Sequence, residues 1–217
     1  MLQRFLLVLA LLPLLMSPAF AGFEEGKSAY DRKDWVNTVV QLRPLAETGD
    51  DRAMILLGNM YNEGLGVVQN QQEALSLYKR AAAEKNNAEA MVAVAAMYTS
   101  GIGVGRNLNT SMQWFRRAAM LGDQTGAFFY ATILFRGNKS ATDDIKPDFY
   151  NSYKWFKIAA QKTQHAKLQQ TALELSKRVA QQKLTPEDVA RADKEAEAWN
   201  PVQASDLGPV PADSTVQ

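Results

Sequence analysis

The chain is 217 residues long, carries 24 Lys and Arg against 23 Asp and Glu, and contains one His and no Cys. Without cysteine there is no disulfide, no lipid-modified cysteine and no thiolate metal site, so burial alone must hold the core. A balance this close to neutral offers no bulk field for nucleic acid or an anionic membrane.

The chain opens with Met1-Leu2-Gln3-Arg4, then an apolar run from Phe5 to Leu15 broken by Pro13, then Ala19-Phe20-Ala21. This is the pattern of a secretory signal peptide over residues 1–21, cleaved after Ala21. The apolar stretch falls short of the roughly 20 residues that span a bilayer. The expected mature chain is periplasmic or secreted, with no stable membrane insertion. Losing Arg4 with the leader leaves equal numbers of cations and anions, and a length suited to one domain or one short solenoid.

Residues 22–49 read as a divergent helix pair, Glu24 to Lys33 and Asp34 to Glu47, with Pro44 expected to bend the second helix because it removes a donor and crowds the preceding turn. Regularity then sets in. Ala53, Leu56, Leu57, Met60 and Tyr61 return as Ala90, Ala93, Val94, Met97 and Tyr98, and more weakly as Gly126, Phe129, Tyr130, Ile133 and Leu134, every 36 or 37 residues. Each set falls at i, i+3, i+4, i+7 and i+8, one buried stripe on a helix. A second stripe follows in each unit: Ala74, Leu77, Tyr78, Ala81, Ala82; Ser111, Trp114, Phe115, Ala118, Ala119; Ser152, Trp155, Phe156, Ala159, Ala160. Bulky residues at its middle fill the space between helices, and the paired alanines let backbones approach. Gly58, Ala95 and Ala131 supply matching small surfaces on the first helices.

Punctuation repeats with the core. Asp50, Asn87 and Asp123 precede the first helix of each unit, and Asn70, Asn107 and Asp148 precede the second, so all six read as N-caps. Gly64-Leu65-Gly66-Val67 and Gly101-Ile102-Gly103-Val104 close the turns between helices, the glycines accepting left-handed backbone and the valines folding back onto apolar surface.

The string Ala53-x-x-Leu-Leu-Gly-x-Met-Tyr-x-x-Gly-x-Gly-Val67, followed by Ala74-Leu-x-Leu-Tyr-x-x-Ala-Ala82, resembles the Sel1-like repeat, a TPR-like helix pair of the secreted bacterial type. The resemblance implies an all-α fold, a right-handed superhelical α/α solenoid, with three units over residues 50–165. The third departs from the pattern: Gly137-Asn138-Lys139 replaces Gly-x-Gly-Val, and its loop is longer. Residues 166–199, Ala166 to Trp199, are read as C-terminal capping helices, the second opened by Thr185-Pro186-Glu187-Asp188. Residues 200–217, rich in proline and small polar residues, are expected to be a disordered tail.

Chemistry is sparse. His165 is the only histidine, too little for a nucleophilic triad or a zinc site, and reads as a helix-end or surface residue. Gly101 to Gly105 joins two helices and repeats an ordinary turn, so it is not a nucleotide loop. Asp143 with Asp144, and Glu24 with Glu25, read as exposed neighbours without the contrast in environment that acid–base work needs. Trp114 and Trp155 lie on the core stripe. Lys154, Lys157 and Lys162 read as a solvated face. No catalytic residue, metal or cofactor is expected.

In helical-repeat solenoids the first helices line the concave face. Here the positions outside the core stripe are Arg52, Ile55, Asn59, Asn62, then Glu89, Val92, Ala96, Thr99, then Thr125, Phe128, Thr132, Phe135. Ile55, Val92 and Phe128 form an apolar row, either a solvent-facing groove or packing against neighbouring units; periodicity leaves both open. Similarity to secreted Sel1-like proteins implies a scaffold or adaptor that binds a protein or peptide partner in the cell envelope. The competing readings are a hydrolase of β-lactams or cell-wall material, as in some cysteine-rich relatives with this repeat, and a structural subunit of an envelope assembly.

Overall fold

The computed structural model describes residues 18–140, 143–161, 163 and 165–212. The expected leader falls outside them except for its last four residues, which begin the first helix. The fold is an all-α solenoid: α1 (Pro18–Asp31), α2 (Trp35–Glu47), α3 (Asp51–Glu63), α4 (Gln71–Glu84), α5 (Ala88–Ser100), α6 (Leu108–Met120), α7 (Gln124–Arg136), α8 (Phe149–Ala160), α9 (Ala166–Lys183) and α10 (Pro186–Ala198). Each helix up to α9 packs against the one before it. Among the described residues, no helix is long and apolar enough to cross a membrane.

Capping fixes where each helix starts. Asp50, Asn87 and Asp123 accept from the amides of Ala53, Ala90 and Gly126, and Asn70, Asn107 and Asp148 from those of Glu73, Thr110 and Asn151. Every cap thus occupies a free donor of the first turn. Gly64 and Gly101 end α3 and α5 in the left-handed conformation at φ 74° and 76°. Their amides bond to Met60 and Met97, and the turns close with Asn70 N–H to Tyr61 O and Asn107 N–H to Tyr98 O, both 2.9 Å. Val67 and Val104 pack back on the core. α2 runs through Pro44 and ends one turn later, at Glu47.

The buried arc of the first helices is wider than one stripe. Met54, Met91 and Ala127, one position after the stripe's first residue, are all at most 1% exposed. A first helix lies between its own second helix and that of the preceding unit, so it buries two adjacent rows rather than one. At the crossing within each unit the contacts vary as a set. Tyr78 donates to Asn59 at 2.6 Å and lies over Gly58, whereas Ser111 donates to the carbonyl of Ala95 and Ser152 to that of Ala131, both at 2.9 Å. Trp114 and Trp155 are buried in packing, as their place on the stripe predicts.

The third unit closes differently. α7 ends at Gly137, and the longer loop forms a short antiparallel ladder, β1 (Asn138–Lys139) with β2 (Asp144–Ile145). Asp148 N–H still reaches Leu134 O at 2.8 Å, so the helix pair is joined as in the other units. Asp143, expected at the surface, is 1% exposed: its carboxylate accepts from Asn109 N–H in the first turn of α6, so the loop caps the preceding unit.

The C-terminal region turns back. α10 packs on α8, where Lys154 pairs with Glu195 at 2.8 Å and Lys157 with Asp193 at 2.9 Å. Two of the three lysines expected on a solvated face are therefore paired between helices, and Lys162 lies outside the described residues. Residues 200–212, expected to be disordered, continue along α6. Val202 N–H bonds to Met120 O, Ala204–Leu207 form a short 3₁₀ turn, and Arg117 Nη1 donates to the carbonyls of Leu207, Gly208 and Pro209 at 3.1, 2.9 and 2.8 Å. Arg117 is 6% exposed, and burial lowers its pKa from the usual guanidinium value. A buried cation needs acceptors, and three consecutive carbonyls provide them. Residues 213–217 lie outside the described residues.

Candidate functional site

The first helices of the second and third units do not close over each other. Between α5 and α7 lies a groove of about 450 Å³ whose walls include Val92, Ala96, Thr99, Phe129, Thr132 and Ile133, with Leu108 and Phe115 at its floor. Composition opens it: α5 presents Ala96, and α7 answers with Phe129. That ring stacks on Phe115 at 5.2 Å and meets Phe128 edge-on at 5.5 Å, yet remains 42% exposed. Thr99 bonds to Ala95 O and Ser111, and Thr132 to Phe128 O, which fixes both hydroxyls at the wall.

The rim is basic. Arg106 precedes the α6 cap and Arg136 ends α7; both line the groove and are exposed, and neither is ion-paired among the described residues. Asn138 of β1 completes this end.

The expected row of binding residues divides. Val92, Ala96, Thr99 and Thr132 line the groove, while Glu89 is exposed one turn before Val92. Ile55 is 7% exposed and belongs to the core. Phe128 packs edge-on against Phe156 at 5.7 Å, and Phe135 against Phe149 at 6.1 Å. Arg52 pairs with Asp50 at 2.9 Å and lies 4.1 Å above the Phe23 ring, Asn59 accepts from Tyr78, and the Asn62 carbonyl accepts from Gln69. The row Ile55, Val92, Phe128 is therefore not one solvent-facing strip. Phe129 and Ile133, placed on the core stripe by periodicity, are groove residues instead. Their signal was present in the repeat itself: Leu56, Ala93 and Phe129 share the i+3 position, the first two are half-buried, and an aromatic there overreaches the space the packing allows. Arg106 and Arg136 carry no periodic signal.

Electrostatics elsewhere are structural. Burial pushes the Asp123 carboxyl up, only partly offset by the amides of Gly126 and Thr125 and by His165. His165 itself is exposed at the start of α9 and makes no side-chain cap. No group of three or more His, Cys, Asp or Glu among the described residues is arranged to hold a metal ion. A second hollow of about 440 Å³, lined by Met112, Tyr130, Lys154, Trp155 and Trp199, lies on the side of the second helices, with Val202 of the returning segment in its wall.

Helix pairs stacked one on the next, with capped turns between them, define a helical-repeat protein. The Sel1 repeat matches residues 51–86, 88–123 and 125–163, just over half of the chain, and the chain belongs to the Sel1 repeat family. Proteins of this family generally mediate protein–protein interaction. The fold is similar to that of a Sel1 repeat protein from Oxalobacter formigenes, at TM-score 0.66 and 20% identity over 80% of this chain and 69% of the other. It is also similar to c5321, a protective antigen of uropathogenic Escherichia coli displaying an SLR fold, at TM-score 0.59 and 24% identity; the match covers 82% of this chain and 46% of c5321. No curated protein matches the chain in sequence.

Proposed function

We propose that this chain is an exported adaptor of the cell envelope that binds a peptide or protein segment in the groove between α5 and α7. The observation that carries the reading is Phe129, a ring 42% exposed on the wall of an open apolar groove in a family of interaction modules. Exposed apolar surface of this kind marks interaction sites, and a groove beside helices suits a peptide-sized occupant. Export is supported by the leader pattern of residues 1–21.

A photo-crosslinking residue at Thr132 in living cells tests the site. A discrete protein adduct is expected from that position and none from Lys194, an exposed residue on α10. Absence of any adduct from Thr132, Ala96 and Thr99 alike counts against binding in the groove. Export is checked by the mass of the mature protein, which is expected to begin at Gly22 and to leave the cell on osmotic shock.

A further inference from the structure

The groove has a polarity that its periodic residues do not explain. Its lining includes two guanidinium groups and no carboxylate. Arg106 and Arg136 are both exposed, and neither has a counter-charge among the described residues. Three cations elsewhere that face other elements are matched: Lys154 with Glu195, Lys157 with Asp193, and Arg117 with three carbonyls. Arg136 has a local use, since a cation in the last turn of α7 offsets the helix dipole. Arg106 has none: it stands in the turn before Asn107 and yet lines the same rim. Both arginines lie at the C-terminal end of the first helices, whereas Glu89 lies in the first turn of α5, about 16 Å along the axis from Ser100. The apolar and basic parts meet at Ile133 and Phe129, one turn or two before Arg136. The volume of about 450 Å³ is at the small end of ligand sites, roughly 300–1,000 Å³, so it admits a few side chains and not a whole helix.

Resting on the adaptor reading above, we propose that the groove selects an acidic, apolar segment within a protein partner, seating a large side chain on Phe129 and placing a neighbouring Asp or Glu carboxylate on Arg106 and Arg136. Guanidinium binds carboxylate through paired hydrogen bonds, and an apolar side chain seated beside them displaces part of the water that competes at the rim. Complementary charge selects the partner and sets the direction in which the segment lies.

Selection from a displayed library of short, internally presented random peptides, on immobilised full-length mature protein, tests this. Retained peptides are expected to place Asp or Glu within a few residues of Phe, Tyr, Trp or Leu. Their affinity is expected to fall about tenfold or more in R106E/R136E and to weaken with added salt. The same selection on R106E/R136E is expected to enrich Lys and Arg instead. Retained peptides without acidic enrichment, no change of preference on charge reversal, or no peptide retained at all overturns the proposal. Enrichment only of a free terminal carboxylate in a library displayed with open C-termini also overturns it. Because both arginines are exposed, helical content and melting temperature are expected to be unchanged; should the double variant lose helix, the wild-type selection alone decides. Crosslinking at Thr132 separates the two readings. An adduct that forms equally in wild type and R106E/R136E leaves the adaptor standing without its acidic partner, and loss of the adduct in wild type removes both.

Discussion

Gly58 and Tyr78 form a close contact at the helix crossing of the first unit. A methyl group on Gly58 meets the Tyr78 ring at 2.7 Å, and Tyr78 cannot swing away while its hydroxyl holds Asn59. Alanine gains roughly 1 kcal/mol over glycine in a helix interior, while overpacking costs about 1–3 kcal/mol, so Gly58→Ala is expected to destabilise. The other units use Ala95 with Phe115 and Ala131 with Phe156, which makes G58A/Y78F the matched pair; chemical denaturation is expected to show it recovering much of the loss. The N-caps differ in a similar way. Burial works to raise the Asp50 carboxyl, but hydrogen bonds from the Arg52 side chain and the Ala53 amide, with the Arg52 charge, hold it below its usual value. Its ionised form therefore contributes stability above the unfolded carboxylate pKa, and this is lost as pH falls through the folded value. Asp123 is shifted the other way, so the folded state holds its proton more tightly and stability declines as pH rises from the unfolded to the folded value. Asparagine caps as well as aspartate. D50N is thus expected to lose up to about 1 kcal/mol at neutral pH, the gap closing in acid, and D123N to gain at neutral pH and converge with wild type in acid. Urea unfolding across the acid range checks both.

At the scale of elements, the segment after α10 is held by Arg117 and by Val202 on Met120. Arg117→Ala removes the donor to three carbonyls and is expected to cost about 1–3 kcal/mol; limited proteolysis is expected to cut residues 203–212 before any helix. The docked segment illustrates what periodicity conveys and what it does not. Stripes, caps and turns are local and recur, so α3 to α8, all six caps and both Gly-x-Gly turns were legible from residue types and spacing. Arg117 sits on a stripe-bearing helix as an apparent surface cation, and its partners lie some ninety residues away; no local signal joins them. A tail of prolines and small residues looks disordered by composition, yet a buried guanidinium uses its backbone rather than its side chains. The groove was half legible for the same reason. Val92, Ala96, Thr99 and Thr132 followed from the pattern, but Ile55 and Phe128 were drawn into the core because each first helix has two neighbours, and Phe129 was left in the opening because α5 offers alanine opposite it.

For the whole molecule, the core is two clusters that abut at Ala118 and Ala119, one reaching back to Leu42 and the other on to Ala196. The second depends on the C-terminal helices: Ala172, Val179, Ala192 and Ala196 are at most 1% exposed. A chain ending at Gln161 leaves the α8 face that meets α9 and α10 in water and is expected to aggregate or melt well below the full chain, whereas one ending at Asn200 keeps every helix and loses only the returning segment. Light scattering and thermal melts distinguish them. Solenoids transmit stability between nearest neighbours, so the effect is expected to be largest for α7 and α8 and small for α3. The reversal of α10 along α8 also governs how the gene for such an array can lengthen. The surface on which a further unit must stack after the third is already taken by α9, while the joint between the first and second units joins two like helix pairs, with Asn87 donating to Asp51 across it at 2.6 Å. Duplication of one unit there is expected to lengthen the spine, whereas a unit appended after α10 finds the α8 face already covered.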